Sequence, residues 1–353
     1  MSPPRSVIVI GASAGGTQPL TELAAQTPAD IPAAMLVVVH IPPYHQSLLP
    51  EILSNAGPLP VSLGVHGQTL REGHIYVAPA DRHMQVQDGH IVLNRAPREN
   101  HTRPAIDPLF RSAARAYGSN VAGVILSGTQ GDGTVGLMAI KSRGGLTLVQ
   151  DPEELVYSAM PRRAIQYVDV DHVSPVADMA PILYEFASSR PPITPRANKP
   201  ARDEDSDARL IHNDLARQVT GEQSGTVSAY VCPECGGPLW QLDEGGALRF
   251  RCHVGHSYSP ELLLVDKSEE LETALWSAVR TLIERAMLTR QLAQRLRQIG
   301  QVQESIALEE QAQVEDEHVA MIRDVILNTT TNPGSATDAL AEADDNRQPS
   351  TPE

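Results

Sequence analysis

The stretch Val7-Ile8-Val9-Ile10-Gly11-Ala12-Ser13-Ala14-Gly15-Gly16 decides the fold. Four β-branched residues in a row read as a strand buried on both faces, the pattern of a parallel sheet. The strand runs into a turn of small residues, and Thr17 to Gln26 reads as a helix. Open α/β sheets place ligands at such strand ends. The free N–H groups of a helix start attract negative charge there. Ser13 stands in the middle of the turn. Two uses compete for it: the serine does chemistry, or the turn holds a phosphate.

Working outward, 34–41 is a second buried strand with His40 at its carboxyl end, followed by Pro42 and Pro43. A short helix is predicted over 47–56. Residues 61–93 read as an antiparallel excursion on the sheet edge. Its short strands are 75–79, 84–87 and 90–93, the last two joined by Asp88-Gly89, a hairpin signal. A helix over 106–117 precedes the apolar strand 121–128, and the loop 129–133 after it carries Asp132. Helices over 136–143, 159–166 and 176–187 alternate with strands at 146–150 and 172–175. The expected fold over 5–188 is therefore α/β, a mainly parallel sheet flanked by helices with an antiparallel hairpin. Residues 189–225, rich in Pro, Arg, Asp and Ser, read as a linker. A small cysteine-bearing unit spans 226–260. Residues 261–327 are helix formers broken at Gly300, either two antiparallel helices or one long kinked helix. The polar tail 328–353 is expected to be disordered.

Composition narrows the class. The 353 residues suffice for two or more domains at ~150 residues each. No apolar run is long enough for a bilayer span, and the N-terminus lacks the apolar core of a signal peptide. Residues 191–353 hold 15 Lys and Arg against 27 Asp and Glu, so this half carries −12 of the net −15. That charge argues against nucleic acid as a partner. All three cysteines fall between 232 and 252, which fits a metal site in a reducing, cytoplasmic setting better than a disulfide framework.

Ser13, His40 and Asp132 each follow a strongly apolar strand, and such ends lie along one edge of a parallel sheet. A serine hydroxyl needs a base, a histidine serves near neutral pH, and a carboxylate fixes its tautomer. The helix start behind Ser13, with Ala14 and Gly15 free of bulk, offers oxyanion donors. Alternatives stay open at this point. Gly11-x-Ser13-x-Gly15 matches the letters of a nucleophile elbow, but on the first strand, outside that fold's order. Gly11-x-Ser13-x-x-Gly16 is a dinucleotide fingerprint with its middle glycine replaced, where the pyrophosphate needs its closest approach. No Gly-Lys-Ser/Thr follows, which speaks against a P-loop. Asp151 also ends a strand and rivals Asp132, which stands between Gly131 and Gly133 as a turn residue does.

The motifs Ile10-Gly11-Ala12-Ser13-Ala14-Gly15-Gly16, Val39-His40-Ile41-Pro42, Arg103-Pro104-Ala105-Ile106-Asp107-Pro108-Leu109-Phe110, Leu126-Ser127-Gly128-Thr129-Gln130-Gly131-Asp132-Gly133 and Ala159-Met160-Pro161, in this order, resemble the catalytic domain of CheB-type chemotaxis protein-glutamate methylesterases. The resemblance covers roughly 5–188. It implies a Ser-His-Asp triad carried by Ser13, His40 and Asp132. It also implies hydrolysis of glutamate γ-methyl esters on chemoreceptors, with glutamine deamidation as a second activity. The family usually has a receiver domain in front. With the first motif starting at Val7, none is expected here, nor control by phosphorylation of this chain. The family often has methionine where Thr129 stands; a backbone N–H in that loop would be indifferent to the change.

Cys232-Pro233-Glu234-Cys235-Gly236-Gly237 and Cys252-His253-Val254-Gly255-His256 have the spacing of a zinc ribbon. Cys232, Cys235, Cys252 and His256 provide a closed tetrahedral set, with His253 the alternative fourth ligand and 243–247 the connecting turn. Such a Zn2+ is structural, since four protein ligands leave no open position. The bland alternative is a small core of reduced, unliganded cysteines. The expected function is a serine esterase acting on methylated glutamates of a chemoreceptor or similar signalling protein. It needs no catalytic cofactor and does not insert in a membrane, and it self-associates through the apolar stripe of the C-terminal helices. The competing reading, from another class, is a catalytically weak adaptor in a signalling complex; a dinucleotide-binding protein ranks third.

Overall fold

The structure, a computed structural model, describes residues 4–41, 47–129, 131–190, 225–244 and 247–330. The prolines after His40, nearly all of the expected linker and nearly all of the expected tail lie outside the described residues. The chain divides into two compact units, Met1–Leu262 and Leu263–Glu353.

Strand β1 (Ser6–Ala12) is buried along its whole length. It lies at the centre of a seven-stranded sheet, between β2 (Ala33–Val39) and β7 (Val121–Ile125) and parallel to both. The full order is β3 (Val61–Leu63), β4 (His74–Val77), β2, β1, β7, β8 (Leu146–Gln150) and β9 (His172–Ser174), and every adjacent pair is parallel. Alternation along β1 sends Val7 and Val9 into one core and Ile8 and Ile10 into the other. The first core is closed by α3 (Ile106–Tyr117), α4 (Thr134–Lys141) and α5 (Ala159–Tyr167). The second is closed by α1 (Thr17–Gln26), α2 (Leu49–Ala56) and α6 (Val176–Ser189). Each side chain of this size, fully buried, contributes about 1.5–3 kcal/mol. All strand ends that matter for function therefore open on one edge.

The edge differs from the sequence reading. The expected antiparallel excursion over 61–93 begins later than predicted. Strands β3 and β4 join the main sheet in parallel, because Ile75 and Val77 feed one core and Tyr76 and Ala78 the other. A strand wanted on both faces belongs inside the layers. Only β5 (His83–Gln87) and β6 (His90–Asn94) form the antiparallel hairpin. Its turn residues Asp88 and Gly89 have φ of 49° and 75°, both positive as a two-residue hairpin turn requires. Met84, Val86 and Ile91 seal the α3 side of the core.

Gly11 sits where β1 passes beneath α3. A Cβ there would lie 2.5 Å from Ile106 Cγ2. Gly11→Ala is expected to cost about 1–3 kcal/mol by overpacking, read as a lowered denaturation midpoint with unchanged slope.

Beyond the sheet, a second, antiparallel sheet runs β10 (Thr226–Val231), β11 (Pro238–Glu244), β12 (Ala247–Cys252), β13 (Ser257–Tyr258) and belongs to the first compact unit. The described part of the second unit is built by α7 (Pro260–Gln298), from Leu263 onward, and α8 (Val302–Thr330). Gly300, at φ 86°, makes the break between them. Arg285 pairs with Glu315 and Arg297 with Glu309, and Val279 packs with Val319 and Ile326. Of the two helical readings, the antiparallel hairpin is the one formed.

Candidate active site and metal centre

The turn after β1 is held from two sides. Ser13 N–H donates to Ser127 O at 2.9 Å, and Ser127 Oγ donates to Ala14 O at 2.7 Å. His40, the residue after β2, donates its N–H to Ala12 O at 3.3 Å. The parallel register thus brings the two strand ends side by side. Ser13 Oγ lies 3.0 Å from His40 Nδ1, and His40 Nε2 lies 2.8 Å from Asp132 Oδ2. The His40 side chain is 9% exposed and Asp132 is fully buried, so the proton path is screened from water on the acid side. Gly128 stands beside the serine, its Cβ position facing Ser13 Cβ, and the Gly15 position faces the Tyr157 ring.

Asp132 is the most heavily coordinated group of the site. Its Oδ2 accepts from His40 and from Ile106 N–H at 2.6 Å. Its Oδ1 accepts from Gly133 N–H at 3.0 Å, Asp107 N–H at 3.2 Å and Asn100 Nδ2 at 3.3 Å. Burial disfavours the carboxylate. The His40 hydrogen bond and charge and the Ile106 and Asp107 N–H groups outweigh it, and the carboxyl is held below its ordinary range. Two of these donors are the first N–H groups of α3, which have no helical partner and lie at the positive end of the helix dipole.

Of the sequence candidates, Ser13, His40 and Asp132 come together, and Asp151 does not. Asp151 accepts from Glu153 N–H at 3.0 Å and caps a turn. Asn100 and the N-terminus of α3 were not given a role by sequence. The motif around Ile106 and Asp107 was visible as a string, but its use is made by backbone N–H groups, which leave no trace in residue type.

In the second sheet, one ligand atom from each of Cys232, Cys235, Cys252 and His256 lies within 4.8 Å of the others. Cys235 Sγ is 3.6 Å from Cys252 Sγ, and His256 Nδ1 is 3.5 Å from Cys252 Sγ and 3.7 Å from Cys232 Sγ. Ligands about 2.3 Å from a tetrahedral centre stand roughly 3.8 Å apart, so this group can hold a metal ion. Gly236 N–H donates to Cys232 O and Gly255 N–H to Cys252 O, closing the two knuckle turns. His253, the alternative ligand, is instead turned edge-on to Trp240, with ring centroids 4.1 Å apart.

Residues 8–183 match the family described as CheB methylesterase. The chain is 38% identical over 178 residues to the protein-glutamate methylesterase/protein-glutamine glutaminase of Photorhabdus laumondii, covering 49% of this chain and 51% of that one. It is 40% identical over 180 residues to such a protein of Anaeromyxobacter dehalogenans, covering 51% and 53%. The chain spans about half the length of these curated relatives. It is also similar to the Thermotoga maritima CheB methylesterase catalytic domain, at 33% identity and a TM-score of 0.49, covering 51% of this chain and 97% of that one. Among the described residues no helix is long and apolar enough to cross a membrane.

Proposed function

Because residues 8–183 belong to the CheB methylesterase family, we propose that this chain hydrolyses glutamate γ-methyl esters on a chemoreceptor-type protein, with glutamine deamidation as a second activity. The observation that carries the reading is the Ser13–His40–Asp132 chain of contacts at 3.0 and 2.8 Å on one sheet edge. Ser13 Oγ attacks the ester carbonyl while His40 takes its proton at Nδ1. Asp132 holds the other ring nitrogen and steadies the imidazolium. His40 returns the proton to the methoxide, methanol leaves, and water repeats the sequence to free the glutamate. For the oxyanion, Ser13 and Gly16 N–H are engaged, with Ser127 O and Ser13 O. The N–H groups of Ala14 and Gly15 are assigned to the hole.

The test is methanol release from methylated receptor membranes, run beside fluorophosphonate labelling. The wild-type chain should do both, and Ser13→Ala neither. Ser13→Ala protein releasing methanol at the wild-type rate would sink the esterase reading. A folded wild-type chain inert in both assays would favour the adaptor.

The Cys232, Cys235, Cys252 and His256 set is assigned to a structural Zn2+, supported by its closed four-donor geometry. Self-association is assigned to the helical hairpin, which exposes Leu271, Met287, Leu288, Leu292, Met321 and Val325, an apolar surface of the kind that marks interaction sites. Sedimentation of the full chain should give a dimer or larger. A monomer at micromolar concentration removes this assignment.

A further inference from the structure

Asp107 is a carboxylate with almost no water. Its side chain is 1% exposed, yet it lies next to another buried carboxylate, that of Asp132, to whose Oδ1 its own N–H donates. Asp107 Oδ1 accepts from Gly136 N–H at 2.7 Å, which ties the start of α3 to the start of α4. Its Oδ2 accepts from Arg249 Nη1, also at 2.7 Å. Arg249 is on β12, 142 residues away, and is itself 3% exposed. Glu99 flanks the pair, 3.6 Å from Arg249 Nη2 and doubly bonded to Arg111. Burial pushes the Asp107 carboxyl up to about 7, and Arg249 is the chief influence opposing it.

A second thread leads to the same atom. Asn100, which donates to Asp132 Oδ1, has its own N–H held by Ser257 O at 2.8 Å. Ser257 is on β13, beside β12. The cysteine-bearing sheet therefore reaches Asp132 Oδ1 twice, once through Arg249 and Asp107 and once through Ser257 and Asn100.

We propose that Arg249 is a positioning residue of the esterase site. By pairing with Asp107 it holds that buried carboxyl in place, and so holds the α3 N-terminus whose N–H groups aim Asp132 at His40. The inference rests on the esterase reading. It adds that the esterase site is completed by the cysteine-bearing sheet. A buried charge that loses its partner is uncompensated. Without Arg249, Asp107 takes up a proton or moves toward water, and either change disturbs the N–H that Asp132 accepts.

The test uses the full chain with Arg249→Met, Arg249→Gln and the double variant Arg249→Met/Asp107→Asn. The first readout is the rate of fluorophosphonate labelling of Ser13. The second is the His40 ring resonance in a Ser13→Ala background, which needs no activity. Arg249→Met and Arg249→Gln should slow labelling about 10- to 100-fold, the cost of a misplaced catalytic group, and shift the His40 resonance. The double variant, which strands no charge, should recover most of the lost rate. If Arg249→Met fails to fold, Arg249→Gln, which keeps a polar but uncharged side chain at this position, and the double variant decide. Labelling at the wild-type rate with an unmoved His40 resonance in either folded single variant overturns the proposal, even if the melting temperature falls. So does a double variant no faster than Arg249→Met or, where that chain does not fold, Arg249→Gln. If the wild-type chain does not label at all, the esterase reading fails, and the His40 resonance alone then decides whether Arg249 positions the triad.

Discussion

Asp132→Asn is expected to lower kcat on the order of 10⁴-fold, the size such a swap has where a triad carboxylate fixes the histidine tautomer. The local geometry makes the amide a poor replacement. Both oxygens of Asp132 face donors only: His40 and Ile106 N–H at Oδ2, and Asn100, Gly133 and Asp107 at Oδ1. Either orientation of an asparagine puts its NH2 against at least two N–H groups. If the NH2 faces His40, the ring must present an acceptor there, and Nδ1 then carries the proton and no longer takes one from Ser13. If it faces Oδ1's partners, three donors collide with it. The variant should also lose stability, by roughly 1–3 kcal/mol for each donor left unpaired in the interior. Steady-state hydrolysis of a soluble ester, with melting measured on the same sample, checks both parts. A drop of less than tenfold with the fold intact would remove Asp132 from the mechanism.

The second large effect is expected from removing the Zn2+ proposed for Cys232, Cys235, Cys252 and His256. The sheet of β10 to β13 is short, and its two knuckles end in three thiols and an imidazole crowded within a few ångströms. A unit of this size has little core of its own. Structural zinc in such units carries an apparent binding energy of about 10–16 kcal/mol at neutral pH, which is folding energy. One zinc per chain is expected by elemental analysis. Chelation, or Cys232→Ser together with Cys252→Ser, should open 226–258 to protease. A chain that binds no zinc and keeps this segment protected would show that packing alone sustains it. Asp132→Asn is expected to leave zinc content unchanged, which separates the two results.

Much was legible from local chemistry. The run Val7–Ile10 announced a strand buried on both faces, because β-branched residues without a polar partner fit nowhere else. Once that strand was central in a parallel sheet, Ser13, His40 and Asp132 had to share an edge. Asp88-Gly89 announced its hairpin because few residue pairs accept two positive φ values. The cysteine and histidine spacing announced four converging ligands, since the knuckle turn is local. Position on the edge was less legible: β4 reads like any short apolar strand, and only the layers on both sides decide that it runs parallel to β2.

Sequence by itself determined which residues can do acid, base and ligand chemistry, and which segments must be buried. Those depend on side-chain type and on neighbours a few positions away. Tertiary structure alone decided how Asp132 is held and that a second sheet takes part in holding it. Three of its five partners are backbone N–H groups, those of Ile106, Asp107 and Gly133, which every non-proline residue possesses. One of the two threads from the second sheet is an ion pair between Asp107 and Arg249, 142 positions apart. A charge in a sequence reads as a solvated surface residue. Only the packed molecule shows that both of these lost their water, and that each is tolerable because of the other.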